Sequence, residues 1–164
     1  MKKTWMMLVA GAAICAFSTG SRADDATAAS HKAMAPGEIK WGDAPPVLQK
    51  GAKMAVLYGD PSKDGLFIVR LQLPAHYKIM PHTHPTDEQV TVISGAFAIG
   101  MGDKLDEKTT KAMPAGSFFS MPAKMHHFAF STKETIIQVE AMGPFVLNYI
   151  NPADDPSKAA PASK

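Results

Sequence analysis

Two histidines and a glutamate lie close together in the middle of the chain, in a pattern that can bind a metal ion. His82 and His84 are separated by one residue, so in an extended strand their side chains project from the same face. Residues 85–87, Pro-Thr-Asp, predict a turn that brings Glu88 back beside them. Two imidazoles and a carboxylate are ligands that borderline divalent cations prefer. The sequence therefore predicts part of a metal site at this hairpin.

Short apolar stretches recur along the chain and predict the strands that hold this hairpin. Val90 to Ile93 is β-branched throughout, and Gly95 ends that strand. Gly and Pro punctuate the rest of the chain every eight to twelve residues, and no helical stripe appears after residue 23. Further strands are expected at residues 38–41, 53–58, 66–73, 96–100, 117–121, 127–131 and 135–141. This rhythm predicts an all-β sandwich or barrel.

Two motifs in the chain resemble those of the cupin superfamily. The string His-x-His-x3-Glu-x6-Gly from His82 to Gly95 resembles the first motif, although the family often has Gly where this chain has His76. Residues 114–116, Pro-Ala-Gly, and 122–127, Pro-Ala-Lys-Met-His-His, resemble the second motif. The resemblance covers roughly residues 53–150. It implies a double-stranded β-helix, a jelly-roll barrel of six or eight strands with a metal in its mouth, but no particular reaction.

The resemblance also implies a further histidine ligand. In the family this histidine typically falls five residues after the proline of the second motif, which is the spacing of His127, whereas His126 takes a proline position. Neighbours in a strand point to opposite faces, so only one of the two histidines can be the ligand. The motif spacing favours His127, and His126 is the alternative. The expected ligands of one divalent transition metal ion (Mn, Fe, Ni, Zn or Cu) are thus His82, His84, Glu88 and His127. Glu88 is also the candidate catalytic proton acceptor.

Other residues that could bind metal are interpreted as structural. His76 and His126 are typical of a pocket rim or surface, and His31 belongs to the leader. Methionines favour Cu(I), but those after residue 23 form no Met-x-Met cluster and suit flexible core filler. They are Met34, Met54, Met80, Met101, Met113, Met121, Met125 and Met142.

Two polar pairs are compatible with either the pocket or the solvent. Arg70 and Gln72 share one strand face, and Gln138 and Glu140 share another. The sequence does not decide between the two placements.

The N-terminus has the features of an export signal. Lys2 and Lys3 are followed by an apolar stretch, residues 5–17, that is too short for a comfortable membrane span. Residues 21–23, Ser-Arg-Ala, place small residues at the −3 and −1 positions. The only cysteine, Cys15, follows Ile14 rather than a small residue, which argues against a lipoprotein. We expect a signal peptide of residues 1–23, cleaved after Ala23, and a periplasmic protein.

Signal cleavage would leave 141 residues, enough for one domain with a substantial core. We divide them into a flexible leader (24–36), a cupin barrel (37–150) and a disordered tail (151–164). Without the cysteine, disulfides, thiolate zinc sites and iron–sulfur clusters are excluded. The formal charge falls from +2 to −1, so no basic patch indicates nucleic acid. The expected partner is a small-molecule ligand or substrate, with no membrane after cleavage and a homodimer allowed.

Two functions fit these expectations. The first is a small metalloenzyme, a dioxygenase-like oxidoreductase or an isomerase, acting on a small oxygen-rich substrate. The alternative is a non-catalytic periplasmic protein that binds a metal or a small ligand. The lack of an evident additional acid–base pair slightly favours the alternative.

The export signal gives a direct prediction. N-terminal sequencing of protein released from the periplasm should begin at Asp24, because cleavage follows the small residues at positions 21 and 23. Recovery of the full-length chain in the membrane fraction would contradict this expectation.

Overall fold

Strands make up most of the secondary structure in the computed structural model, which describes residues 31–158. From Met34 onward the chain forms one unit. The strands are β1 (Gly42–Asp43), β2 (Lys53–Tyr58), β3 (Gly65–Leu73), β4 (Lys78–Thr83), β5 (Glu88–Ser94), β6 (Ala96–Met101), β7 (Met113–Pro114), β8 (Phe118–Met121), β9 (His127–Ser131), β10 (Thr135–Gly143) and β11 (Asn148–Tyr149).

The strands form two antiparallel sheets that face each other. The six-stranded sheet has the order β1-β2-β3-β10-β5-β8, and the five-stranded sheet has the order β11-β4-β9-β6-β7. Strands far apart in the chain therefore lie side by side, as β3 and β10 do. This is the jelly-roll cupin fold, and the predicted fold class is confirmed. The strand count exceeds six or eight because the described residues include two-residue strands at sheet edges.

Alternating burial along β3 and β10 defines the interior wall of the six-stranded sheet. Phe67, Val69, Leu71 and Leu73 are all buried, while the residues between them are more exposed. Val69 lies opposite Val139 of β10, which is also buried, because antiparallel partners share a face. Each such side chain contributes about 1.5–3 kcal/mol when fully buried.

Strand β9 is buried on both faces, which agrees with its uninterrupted apolar centre, Phe128 to Phe130. Phe128 and Phe130 form a second cluster with Ala98, away from the main core. Leu105 and Ala112 of the loop between β6 and β7 pack against this cluster. The loop is mostly exposed, but these two side chains cover the back of β9.

The expected strand at residues 38–41 is misplaced. Pro36–Glu38 forms a 3-10 turn instead, and β1 follows it and pairs with β2. Proline is favoured in the first turn of a helix because its fixed φ suits that position. The Glu38 carboxylate accepts a hydrogen bond from the Ala35 backbone N–H at 2.6 Å, which closes the turn.

Parts of the predicted domain layout lie outside the described residues. These are the signal peptide (1–23), the leader up to residue 30 and residues 159–164. Within the expected tail, Pro152–Asp154 and Pro156–Lys158 form 3-10 turns. No helix among residues 31–158 is long and apolar enough to cross a membrane.

Gly95, between β5 and β6, offers a test of the fold. Its φ of +85° favours glycine, and a Cβ there would collide with the Glu134 carbonyl oxygen and Thr135 Oγ1. Gly95→Ala should therefore lower the free energy of unfolding by about 1–3 kcal/mol, in addition to about 1–2 kcal/mol of backbone strain. Urea denaturation of the purified protein measures the loss.

Gly102→Ala is the matched control. Gly102 has a φ of +106°, but nothing lies within 4 Å of the added Cβ. This variant should show the strain alone, so an equal loss in both variants would contradict the collision at Gly95.

Candidate functional site

Three buried histidines come together on two neighbouring strands of the five-stranded sheet. His82 near the end of β4 lies directly opposite His127, the first residue of β9. His84 follows His82 by two residues, so it returns to the same face. The ring centroids of His82 and His127 are 4.2 Å apart, and those of His82 and His84 are 4.9 Å apart. All three side chains are almost completely buried.

A backbone carbonyl holds each imidazole through its Nδ1 atom. His82 Nδ1 lies 2.7 Å from the Met80 oxygen, and His127 Nδ1 lies 2.9 Å from the Met125 oxygen. His84 Nδ1 lies 2.8 Å from the oxygen of Val146, in the segment after β10. A carbonyl only accepts, so each Nδ1 carries the proton and donates. The Nε2 atom of each neutral ring therefore keeps its lone pair for a metal.

Glu88 reaches the same point from the facing sheet. It is the first residue of β5, and its side chain is 10% exposed. Its Oε2 atom lies 3.5 Å from His127 Nε2 and 3.7 Å from His84 Nε2. The structure thus places the carboxylate beside the ring nitrogens that are not used by backbone carbonyls.

The donor set fits a metal ion. One ring nitrogen each from His82, His84 and His127 lies within 4.8 Å of the other two. Among the described residues, His127 Nε2 is a buried side-chain nitrogen without a hydrogen-bond partner. Leaving a buried polar atom unpaired costs about 1–3 kcal/mol, and a metal bond would offset that cost. These three histidines could hold a metal.

Burial keeps two of the imidazoles neutral at physiological pH. Desolvation, with smaller contributions from neighbouring His127 and His84, lowers the pKa of His82 to about 2. Desolvation also lowers the pKa of His84, although the Glu88 carboxylate and the Val146 carbonyl oppose that shift. Neutral imidazole is the form that coordinates metal ions, so protons compete weakly for these two rings.

The other histidines lie away from this cluster. His126 points to the opposite side of the chain from His127, is about half exposed and contacts Asp103. His76 is exposed, and its φ of +60° is a conformation that glycine adopts more readily than histidine. His31 is exposed as well.

The cluster opens onto a cavity of about 270 Å³ between the two sheets. The walls include Val69 and Val139 from the six-stranded sheet, and Ile79 and Ala129 from the five-stranded sheet. Met54 is the one methionine among its described lining residues. This placement agrees with methionine as a core filler rather than a copper ligand.

The undecided polar residues face away from the cavity. Arg70 Nε donates to Gln138 Oε1 at 3.1 Å, and Gln138 Nε2 donates to Glu140 Oε1 at 2.8 Å. Gln72 Nε2 donates to Glu134 Oε1 at 3.1 Å. None of them is among the described residues that line the cavity.

Sequence reasoning missed the contribution of the segment after β10. The Phe145 ring stacks on His84 with a centroid distance of 4.2 Å and an interplanar angle of 16°. It also contacts Phe67 edge-on at 5.1 Å. The Gly-Pro-Phe string at residues 143–145 is visible in the sequence, but nothing local indicates that it returns to His84.

A protein-family model described as "Domain of unknown function (DUF4437)" matches residues 13–148. The chain belongs to the DUF4437 family. This DUF4437 protein is also 38% identical over 53 residues to germin-like protein 9-2 of Oryza sativa subsp. japonica. That match covers 32% of the chain and only 25% of the plant protein, so the chain spans about a quarter of that relative's length.

Solved structures with the same fold confirm the cupin resemblance. The polyketide cyclase RemF from Streptomyces resistomycificus has a TM-score of 0.63 at 16% identity, over 79% of the DUF4437 chain and 92% of its own. An RmlC-like cupin from Shewanella frigidimarina NCIMB 400 has a TM-score of 0.54 at 18% identity, covering 69% and 91%. KdgF from Halomonas sp. has a TM-score of 0.53 at 20% identity, covering 70% and 96%. At these identities the likeness shows the fold alone.

The opposite orientation of His126 and His127 predicts opposite effects on metal content. His127→Ala removes a buried ring that faces His82, so metal affinity should fall by more than the roughly 10–100-fold typical for loss of an outer-shell partner. His126→Ala removes an exposed ring on the other side and should leave occupancy nearly unchanged. Elemental analysis of both variants, expressed and purified in parallel with wild type, measures the difference. Loss of metal from His126→Ala alone would exchange the two assignments.

Proposed function

We propose that this protein is an exported metal-dependent enzyme of the cupin fold. It holds one divalent transition metal ion through His82, His84, His127 and Glu88, and it acts on a small molecule bound in the adjoining cavity. With neutral imidazoles and one carboxylate, a divalent ion would leave a site charge near +1, which suits a ligand with anionic oxygen donors.

One observation carries the proposal. Three imidazoles with their Nδ1 atoms held by backbone carbonyls converge with a carboxylate, and His127 Nε2 has no other partner among the described residues. Burying four such groups without a ligand is costly. Carbonyl-anchored histidines are the usual preparation for metal coordination.

A divalent ion held by these residues would supply a Lewis acid that polarises an oxygen of the bound molecule. The chain's own contribution is orientation, exclusion of water and a proton acceptor. Glu88 Oε2 lies within 3.7 Å of two ring nitrogens and is the only carboxylate among the described cavity-lining residues. It either ligates the metal or accepts a proton at Oε2, and an isomerase-type proton transfer needs the second role.

A non-catalytic ligand-binding protein is the second candidate. The observation in its favour is that no Lys, Arg, Tyr or Asp is found among the described residues that line the cavity. Apart from Glu88 and the histidines, the cavity thus offers no general acid or base. A metal site without a second proton-transfer group is equally compatible with ligand binding and with catalysis.

The periplasmic location remains part of the proposal. Its support is the charged start at Lys2 and Lys3, the short apolar stretch at residues 5–17 and the small residues before Asp24.

Glu88→Gln separates the two candidates. The amide keeps an oxygen donor but has no usable basicity, so an enzyme that transfers a proton to Glu88 should lose about 10²–10⁴-fold in kcat. Substrates are first sought by screening catechols, flavonols, keto acids and sugar derivatives for substrate loss or oxygen uptake. Variant and wild type are then compared at equal metal content, with metal restored by excess ion.

Glu140→Gln is the matched control. Glu140 lies on the neighbouring strand β10 opposite Gln89, hydrogen-bonds Gln138 and does not line the described cavity. This variant should keep full turnover. If wild type turns over nothing with Mn, Fe, Ni, Co, Cu or Zn, the binding function takes precedence. If Glu88→Gln stays fully active, the carboxylate is a ligand only.

A further inference from the structure

The cavity beside the histidines is almost entirely apolar. Besides His82, His84, Glu88 and His127, Ser62 is the only polar side chain among its described lining residues. The Ser62 hydroxyl is already used, since it donates to Asp60 Oδ1 at 2.7 Å. Among the described lining side chains, a ligand carboxylate would therefore find a partner only at the metal end, and a ligand hydroxyl would find in addition only the Ser62 oxygen, which can still accept a hydrogen bond.

The chemistry of the walls limits what can bind. Burying a hydroxyl without a hydrogen bond costs about 1–3 kcal/mol on protein scales, and an unpaired charge costs far more. No Lys or Arg is among the described lining residues to balance a second anionic group. An oxygen-rich sugar acid would lose its hydration along these walls without replacement.

Three loop segments also line the cavity, and apart from Ser62 their lining side chains are apolar. They include Leu48, Pro61, Phe145 and Leu147. These segments are held to one another and to the barrel, since Phe145 N–H donates to the Pro61 oxygen at 2.8 Å. Tyr149 Oη donates to the Val47 oxygen at 2.8 Å, which fixes the loop that carries Leu48. A ligand in the cavity therefore contacts hydrocarbon from the loops as well as from the sheets.

We propose that the cavity binds a small, mainly apolar molecule that carries a pair of oxygen donors at one end. The donors reach the metal held by His82, His84 and His127, and the apolar body fills the space between the sheets. This inference rests on the proposed metal site and replaces the oxygen-rich substrate expected from the sequence. The volume of about 270 Å³ is near the lower end for ligand pockets, which suits a compact ring rather than a long chain.

A series of catechols with the same metal-binding end tests the wall chemistry. The probes are catechol, 4-methylcatechol, 4-tert-butylcatechol and 3,4-dihydroxybenzoate, titrated calorimetrically without oxygen into full-chain protein loaded with Zn²⁺. Each affinity is divided by that of the same probe for free Zn²⁺ in the same buffer. This ratio removes the effect of the substituent on the strength of the oxygen donors.

The expected order follows from burial. One buried methyl group should tighten normalised binding about fourfold, and the tert-butyl group more than tenfold. The carboxylate of 3,4-dihydroxybenzoate should weaken binding at least tenfold relative to catechol, because it would be buried without a partner.

Leu48→Lys should relax this selectivity. Leu48 is half-buried in a loop that lines the cavity, so a lysine there can extend its ammonium towards the ligand while the loop keeps its position. Binding of 3,4-dihydroxybenzoate should then recover by about tenfold relative to catechol. Val56→Lys adds the same charge at an exposed position of β2 that does not line the described cavity, and it should leave the selectivity unchanged. Circular dichroism verifies that both variants are folded.

The outcomes separate this inference from the proposed function. A protein that takes up no metal overturns the metal site itself. If the protein holds one metal per chain, equal or reversed normalised affinities across the series overturn the apolar-ligand inference but not the metal site. If none of the four probes binds, the conclusion is the same. Equal changes of selectivity in Leu48→Lys and Val56→Lys would show that the walls do not select the ligand. The expected order together with a shift in Leu48→Lys alone supports the inference.

Discussion

The candidate site depends on an irregular pairing between β4 and β9. Ile79 lies opposite Ala129, and His82 lies opposite His127. A step of three positions along β4 therefore matches a step of two positions along β9, so β4 carries one extra residue. In a regular strand, residues three apart face opposite sides, yet Ile79 and His82 both line the cavity. The extra residue restores the inward orientation, and Pro81 is suited to such a bulge because it has no N–H to pair. Without the bulge, His82 and His84 would point away from Glu88.

This arrangement buries a polar cluster beside an otherwise apolar cavity. The rings of His82 and His84 are desolvated strongly enough to lower their pKa values, and the Glu88 carboxylate is buried beside them. The Nδ1 atoms are satisfied by backbone carbonyls, which also fix the ring orientations. The Nε2 atoms and the Glu88 carboxylate, in contrast, converge on one point. This convergence of free ligand atoms distinguishes a binding site from histidines that merely stabilise a core.

Local sequence patterns predicted much of the fold and the candidate residues. Strand alternation places His82 and His84 on one face, the Pro-Thr-Asp residues predict the turn before Glu88, and the resemblance to the second cupin motif implies His127. The structure brings these four side chains together. The misplaced first strand had a local cause as well, since the capped turn at Pro36 competes with extended structure. The bulge and the role of Phe145 were not predictable, because they depend on pairing between segments far apart in the chain. His84 and Val146, for example, are 62 residues apart.

The two sheets and the loops contribute different parts of the site. The five-stranded sheet supplies the histidines, the six-stranded sheet supplies Glu88 and an apolar wall, and the loop segments around Leu48, Pro61 and Phe145 supply further lining side chains. Phe145 belongs to both parts, since it stacks on His84 and lines the cavity. A ligand that displaces Phe145 would also disturb the neighbouring Val146 carbonyl that holds His84 Nδ1. Ligand contact with Phe145 and the geometry of the metal end are therefore coupled through two consecutive residues, whereas a change at Leu48 is expected to alter ligand preference alone.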